Sequence, residues 1–162
     1  MDIRAIQSTD LDGIVDLLAR TDAFDDEERQ VARELVEDAI HRPDESGYHA
    51  LVAVEPKSSG GSVLGYVLHG PTPMTEHTHD LYWIAVDATR RGQGIGRKLV
   101  AALDQTLRAE GGRIVRVEAS SVADAPATLA FYHGTGFVEC GRIPHFYGTD
   151  DDLVIFYRDL GA

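Results

Sequence analysis

Apolar residues recur along this chain with two periods, and the switches between them mark its elements. Alternation over Asp2 to Ile6 predicts a short strand. Leu11, Ile14, Val15 and Leu18 then recur at helical spacing. Ser8, Thr9 and Asp10 precede them as candidate N-caps, with Thr9 and Asp12 at capping-box spacing. A second helix is expected after Phe24. Its first turn is acidic (Asp25, Asp26, Glu27, Glu28), as the helix dipole favours, and its apolar stripe is Val31, Leu35, Val36, Ala39 and Ile40. Pro43 is expected to stop it.

Tyr48 to Val54 and Ser62 to His69 read as two strands joined by a flexible connection over 56–61. The Gly65-Tyr66 pair suits a strand packed on both faces. A loop opens at Pro71 and ends at Thr78, before a central strand from His79 to Val86. A helix from Gly94 to about Ala109 follows, ended by Glu110-Gly111-Gly112. Next come a strand over Ile114 to Ala119, a polar stretch to Asp124, and a short helix over Ala127 to Gly134, with Pro126 at its start. Phe137 to Arg142 and Leu153 to Arg158 are the last two strands, with a loop between them. About seven strands with four helices, without repeats or linkers, predict one mixed α/β sheet in a single domain over 1–162.

An apolar content of 43 % in 162 residues is enough to bury one core. No run approaches a membrane span, and Asp2, Ile3 and Arg4 follow Met1 where a leader would turn basic and then apolar. The expectation is a cytoplasmic chain with no membrane partner. Cys140 is the single cysteine, so no internal disulfide can form, and its apolar flanks predict a small core residue. The net charge of −12 argues against nucleic acid as a partner and favours cationic substrates such as amines. Lys57 and Lys98 are the only lysines, so the acidic surface also fits a high-salt cytoplasm, where such steering is screened. His77 and His79 share a strand face, but no third ligand is evident and no metal site is expected.

Against this acidic background, Arg90, Arg91, Arg97 and Lys98 crowd between the central strand and the helix after it. Arg91-Gly92-Gln93-Gly94-Ile95-Gly96 offers backbone N–H groups, with little Cβ in the way, at the positive end of a helix dipole. That is an anion site in the making. A P-loop is excluded, because Arg97 follows Gly96 and Leu99 follows Lys98. A dinucleotide fingerprint is excluded too, because the glycines run GxGxG and stand well beyond Val86. The pattern that remains is Arg/Gln-x-x-Gly-x-Gly/Ala, matched by Arg91, Gly94 and Gly96. It resembles the pyrophosphate loop of the GNAT superfamily of acyl-CoA-dependent N-acetyltransferases. A second stretch, Ala127 to Phe137, resembles that family's "A…FYek.GF" element. The two motifs and the element order carry the resemblance from about residue 2 to residue 160.

The resemblance implies a GNAT-like acyl-CoA N-acyltransferase fold and acetyl-CoA as co-substrate. The acetyl group would pass directly, through a tetrahedral intermediate, to a primary amine of a small molecule or a peptide. Arg91, Gly92, Gln93, Gly94, Ile95 and Gly96 would hold pyrophosphate, with Arg97 and Lys98 adding charge. Backbone N–H groups around Ile84, Ala85 and Val86 would face the thioester, and Tyr132 would protonate the leaving thiolate. The chain departs from the family in two places. Ala125 stands where many members carry a cofactor-contacting Asn, and Tyr82 and Trp83 stand where many place a strand Glu. That leaves the general base open among Asp80, Glu118 and His145, in that order, with Tyr147 also near the acceptor and a water chain needing none of them. The missing Glu keeps a second reading open, a non-catalytic acyl-CoA-binding sensor on the same fold. A purely structural domain is a third, and a homodimer is one assembly open to any of them.

Overall fold

A computed structural model describes residues 1–21, 24–56, 61–122 and 125–161, with Ala125 and Pro126 described by their backbone alone. The parts of the expected 56–61 connection and of the polar stretch before Asp124 that fall at 57–60 and 123–124 lie outside the described residues. The same holds for the Ala125 side chain, where the family's Asn would stand.

The strands are β1 (Asp2–Ala5), β2 (His49–Val54), β3 (Val63–Pro71), β4 (Thr78–Val86), β5 (Ile114–Ser120), β6 (Val138–Gly148) and β7 (Asp151–Asp159). They form one sheet in the order β1-β2-β3-β4-β5-β7-β6, antiparallel except where β4 meets β5. The helices are α1 (Leu11–Ala19), α2 (Asp26–His41), α3 (Pro43–Ser46), α4 (Ile95–Ala109) and α5 (Ala125–Gly134). Among the described residues, no helix is long and apolar enough to cross a membrane.

Two apolar layers hold the sheet. Ala50, Val52 and Val54 of β2 pack with α1 and α2 on one face, while Leu51 and Ala53 pack with α4 on the other. A strand used on both faces has no polar side, so β2 and β3 read as near-continuous apolar runs. From α4, Leu99, Leu103 and Leu107 recur at i, i+4 and are all fully buried, each contributing roughly 1.5–3 kcal/mol of burial. Asp25 caps α2 by accepting from the Glu28 N–H at 2.8 Å, and Glu28 returns the bond to the Asp25 N–H at 2.9 Å.

Four expectations need correcting. Pro43 does not merely stop α2; its fixed φ and absent N–H suit the first position of a helix, and it starts α3, which raises the helix count by one. The box ahead of α1 is made not by Thr9 and Asp12 but by Asp10, which accepts the Gln7 N–H at 2.8 Å and pairs with Arg4 at 2.7 Å. The loop expected after Arg142 is largely strand. β6 runs on to Gly148 at the sheet edge, where Pro144 breaks no inner ladder, and irregular register absorbs the extra residues. Cys140 is exposed, because β6 is covered on neither its outer edge nor one face.

Candidate active site

β4 and β5 start together and then part. They pair only at Thr78↔Ile114, His79↔Val115 and Asp80↔Arg116. Beyond that point each keeps its outer neighbour, β3 for β4 and β7 for β5. The cause is visible on β4. β3 pairs Leu68 with Trp83 and His69 with Leu81, so Tyr82 is an extra residue, a bulge that sharpens the local twist and turns β4 away from β5. From Leu81 to Val86, the edge of β4 that faces β5 therefore has no strand partner. A cleft of about 1030 Å³ opens there, and Ile84, Ala85 and Val86 line it.

The glycine loop closes one end. Asp87 caps the turn after β4, accepting the Thr89 N–H at 2.9 Å and its hydroxyl at 2.7 Å. The Thr89 hydroxyl, against the effect of burial, holds the Asp87 carboxyl below its ordinary range. Gly92 and Gly94 follow with φ of +79° and +76°, a left-handed backbone that glycine adopts at little cost. A Cβ on either would meet nothing within 4 Å, so the space above the loop is open. Gly96 serves another purpose. A Cβ there would come within 2.8 Å of the Phe131 ring, so its absence lets α4 start against α5.

The Lys98 N–H reaches back to the Gly94 carbonyl at 3.1 Å as the first bond of α4. The N–H groups of Ile95, Gly96 and Arg97 precede that bond and have no i−4 partner, and all three residues line the cleft. Of the cations, Arg90 pairs with Glu55 at 2.7 Å and Arg97 donates to the Gly134 carbonyl at 2.7 Å, while Arg91 has no ion pair among the described residues. Arg91, Gly92, Gly94, Ile95, Gly96 and Arg97 all face the cleft. Gln93 and Lys98 do not line it; both are exposed beside it.

Tyr132 lines the cleft from α5. Its ring lies 5.5 Å from Phe131, 5.5 Å from Phe137 and 5.4 Å from Phe156, and only 6 % of the residue is exposed. Burial pushes the phenol pKa well above its ordinary value, so the hydroxyl keeps its proton. No described residue hydrogen-bonds that hydroxyl, and the residue lines the cleft. The end of α5 is fastened by Arg97 on Gly134 and by Arg158, which donates to the Thr135 carbonyl and pairs with Asp104 at 2.7 Å.

The far end is polar and aromatic. Asp80 is buried and bound to the Arg116 Nε at 2.6 Å, while another nitrogen of the same guanidinium lies 3.4 Å from Glu118. The bond to Asp80 raises the Arg116 pKa further above its ordinary value. The Tyr82 hydroxyl reaches Asp80 at 3.4 Å, and burial together with that carboxylate raises its pKa. Phe24 stacks at 4.9 Å on Trp83, placing the start of α2, with Glu27 and Glu28, over the cleft. Asp151 and Tyr147 of the β6–β7 hairpin complete the lining.

His145 is not among the lining residues. It adopts φ +55° in the hairpin, and its Nδ1 accepts the Asp150 N–H at 3.1 Å. Sequence reasoning missed Arg116; an arginine alternating with Val115 and Val117 marks the polar face of a strand and was the available signal.

The model of the acetyltransferase (GNAT) family matches residues 11–137. The N-alpha-acetyltransferase RimI of Mycobacterium tuberculosis (strain H37Rv) is 34 % identical over 107 residues, covering 64 % of this chain. The chain spans 63 % of that relative's length. A solved GNAT-family protein of Desulfovibrio desulfuricans superposes with a TM-score of 0.91 at 34 % identity, over 99 % of both chains. The Salmonella typhimurium protein yncA, solved with acetyl-CoA, superposes with a TM-score of 0.75 at 23 % identity, over 100 % of this chain and 95 % of its own. With a parted β4–β5 pair, a glycine loop at one end of the opening and a family match over most of its length, the chain belongs to the acetyltransferase (GNAT) family.

Proposed function

We propose that this protein transfers an acetyl group from acetyl-CoA directly to a primary amine held in the cleft between β4 and β5. One observation carries the reading. The unpartnered edge of β4, the free N–H groups at the start of α4 and the buried Tyr132 all line a single opening. The fold neighbour yncA holds acetyl-CoA, which supports the same co-substrate here.

The pyrophosphate would rest on the N–H groups of Ile95, Gly96 and Arg97, with Arg91 as the free countercharge. The pantetheine arm would run along the β4 edge and add the strand partner that β5 withholds. Backbone N–H groups around Ile84 and Val86 would then stabilise the oxyanion formed as nitrogen attacks the thioester carbon. As the C–N bond is completed the C–S bond breaks, the thiolate takes the proton that Tyr132 holds, and the surplus proton of the new amide nitrogen passes back to the Tyr132 oxygen through solvent. The attacking amine must first be neutral, although an alkylamine is cationic at pH 7.

Asp80 is a poor acceptor for that proton, because its carboxylate is committed to Arg116. Glu118 is the better base, being exposed toward the cleft and only loosely tied to the same guanidinium. Asp80 and Arg116 then act as the pin at which the two strands part. The relationship to RimI extends the acceptor class to the N-terminal amine of a peptide.

The test is free thiol release from acetyl-CoA over a panel of small amines and peptides. Amine-dependent, saturable release supports the transferase. Saturable acetyl-CoA binding without release over the whole panel overturns it.

A further inference from the structure

Resting on the transferase reading, we propose that the main chain of Glu118 selects the acceptor, by holding an α-amine together with the carbonyl group next to it. β5 has an unused edge of its own at this residue. Along an antiparallel ladder, one residue turns its N–H and C=O to the neighbouring strand and the next turns both away. Two bonds fix that phase between β5 and β7. The Leu160 N–H donates to the Arg113 carbonyl at 2.7 Å, and the Ser121 N–H donates to the Asp152 carbonyl at 2.9 Å. Between them the register runs unbroken from Ile114↔Asp159 to Ser120↔Leu153. Val115, Val117 and Ala119 therefore bond to β7, while Ile114, Arg116 and Glu118 turn toward β4. The Ile114 N–H does so visibly, donating to the His77 carbonyl at 3.2 Å.

β4 answers only the first two of these three, since its pairing with β5 ends at Asp80↔Arg116. The N–H and C=O of Glu118 have no partner among the described residues, and the residue lines the cleft. In the proposed reaction pantetheine lies along β4, so these two groups on the opposite edge stay unused. An outward donor and acceptor on one extended residue are half of a strand pair, the kind of edge that recognises another backbone. They fit a ligand with an N–H and a C=O on the same carbon, which is an α-amine with its own carbonyl.

The rest of the cleft limits what can follow that carbonyl. β4 rejoins β5 at Arg116, so a bound chain cannot run on as a strand and must leave the sheet plane after its first residue. A free carboxylate is disfavoured there, because Arg116 is already held by Asp80 and Glu118, and Asp151 adds to their charge. The ligand is thus an aminoacyl amide or the N-terminus of a peptide, of which only the first residue is read. With its amine donating to the Glu118 carbonyl, the nitrogen lies within a side chain's length of the Glu118 carboxylate, which takes its surplus proton. An α-amine, with a pKa of about 8, gives up that proton more readily than an alkylamine at about 10.4. One residue then orients the amine with its main chain and deprotonates it with its side chain.

The test measures the ratio of kcat/KM for alaninamide over isopropylamine, which keeps the branched carbon and lacks the carbonyl. The ratio is compared between Glu118→Gln and Glu118→Pro, so that the intrinsic reactivities of the two amines cancel. Both variants lose the carboxylate and turn over slowly, but only Pro loses the N–H that meets the acceptor's carbonyl. That N–H makes no ladder bond, so Pro breaks no strand pairing, and a melting curve checks the fold. The ratio should be about fivefold lower in Glu118→Pro than in Glu118→Gln, the worth of one hydrogen bond. Amide hydrogen exchange in the CoA-bound native protein reads the same contact without a variant. Alaninamide should slow exchange at the Glu118 N–H, and isopropylamine should leave it at its free rate. Thiol release with ratios within about twofold in the two folded variants, or Glu118 exchange unchanged at saturating alaninamide, overturns the proposal and leaves the transferase standing. No release from the native protein with any acceptor, with acetyl-CoA bound, overturns both.

Discussion

At the loop end of the cleft the groups without an internal partner are backbone N–H groups of Ile95, Gly96 and Arg97, which follow two glycines at positive φ. The far end is lined by Glu27, Asp80, Tyr82, Glu118 and Asp151, brought together from α2, β4, β5 and β7. The first end is continuous in sequence and uses geometry that few residues other than glycine adopt readily. The second is assembled only by the fold. On the proposed function, the loop end receives acetyl-CoA and the far end meets the acceptor.

The largest effect should come from the backbone-built end. Gly94→Glu puts a β-carbon on a residue at φ +76° and a carboxylate over the N-terminus of α4. Acetyl-CoA affinity should fall by more than about 100-fold, since strain and repulsion act together, while far-UV circular dichroism stays native. Unchanged affinity in calorimetry would remove the pyrophosphate assignment.

The same contrast explains what the sequence revealed. Arg91, Gly94 and Gly96 could be read as a motif because a backbone site needs particular residues at fixed spacing. Strands β2 and β3 were legible because burial on both faces leaves a continuous apolar run. The half of β6 past Arg142 was not, because an edge strand exposed along that length imposes no apolar pattern, and Pro144, Gly148 and Asp150 read as a loop. The Asp80–Arg116 pair was equally hidden, since a contact between two strands distant in sequence leaves no spacing signal. Asp80 could be named as a candidate base, but only the fold shows the guanidinium that occupies it.

Tyr132→Phe probes the proton donor of the proposed reaction. It removes one oxygen from a packed ring, so acetyl-CoA affinity should hold while kcat falls by about 100-fold, the usual worth of a positioned general acid. An unaltered kcat would hand the proton to water. The smallest of these effects belongs to the far end. Arg116→Ala strands the buried Asp80 carboxylate, and thermal unfolding should show a loss of about 2 kcal/mol, below the usual cost of breaking a buried pair because Arg116 is itself part-exposed. A melting curve matching the native protein would mean that the pair does not pin the strands.

The central claim is that the parting of β4 from β5 is where the cofactor binds, and amide hydrogen exchange with and without saturating acetyl-CoA reads it directly. The account predicts new protection at two places, the β4 edge within Leu81 to Val86 and the N–H groups of Ile95 to Arg97. Saturable binding that leaves both segments exchanging at their free rates would contradict it.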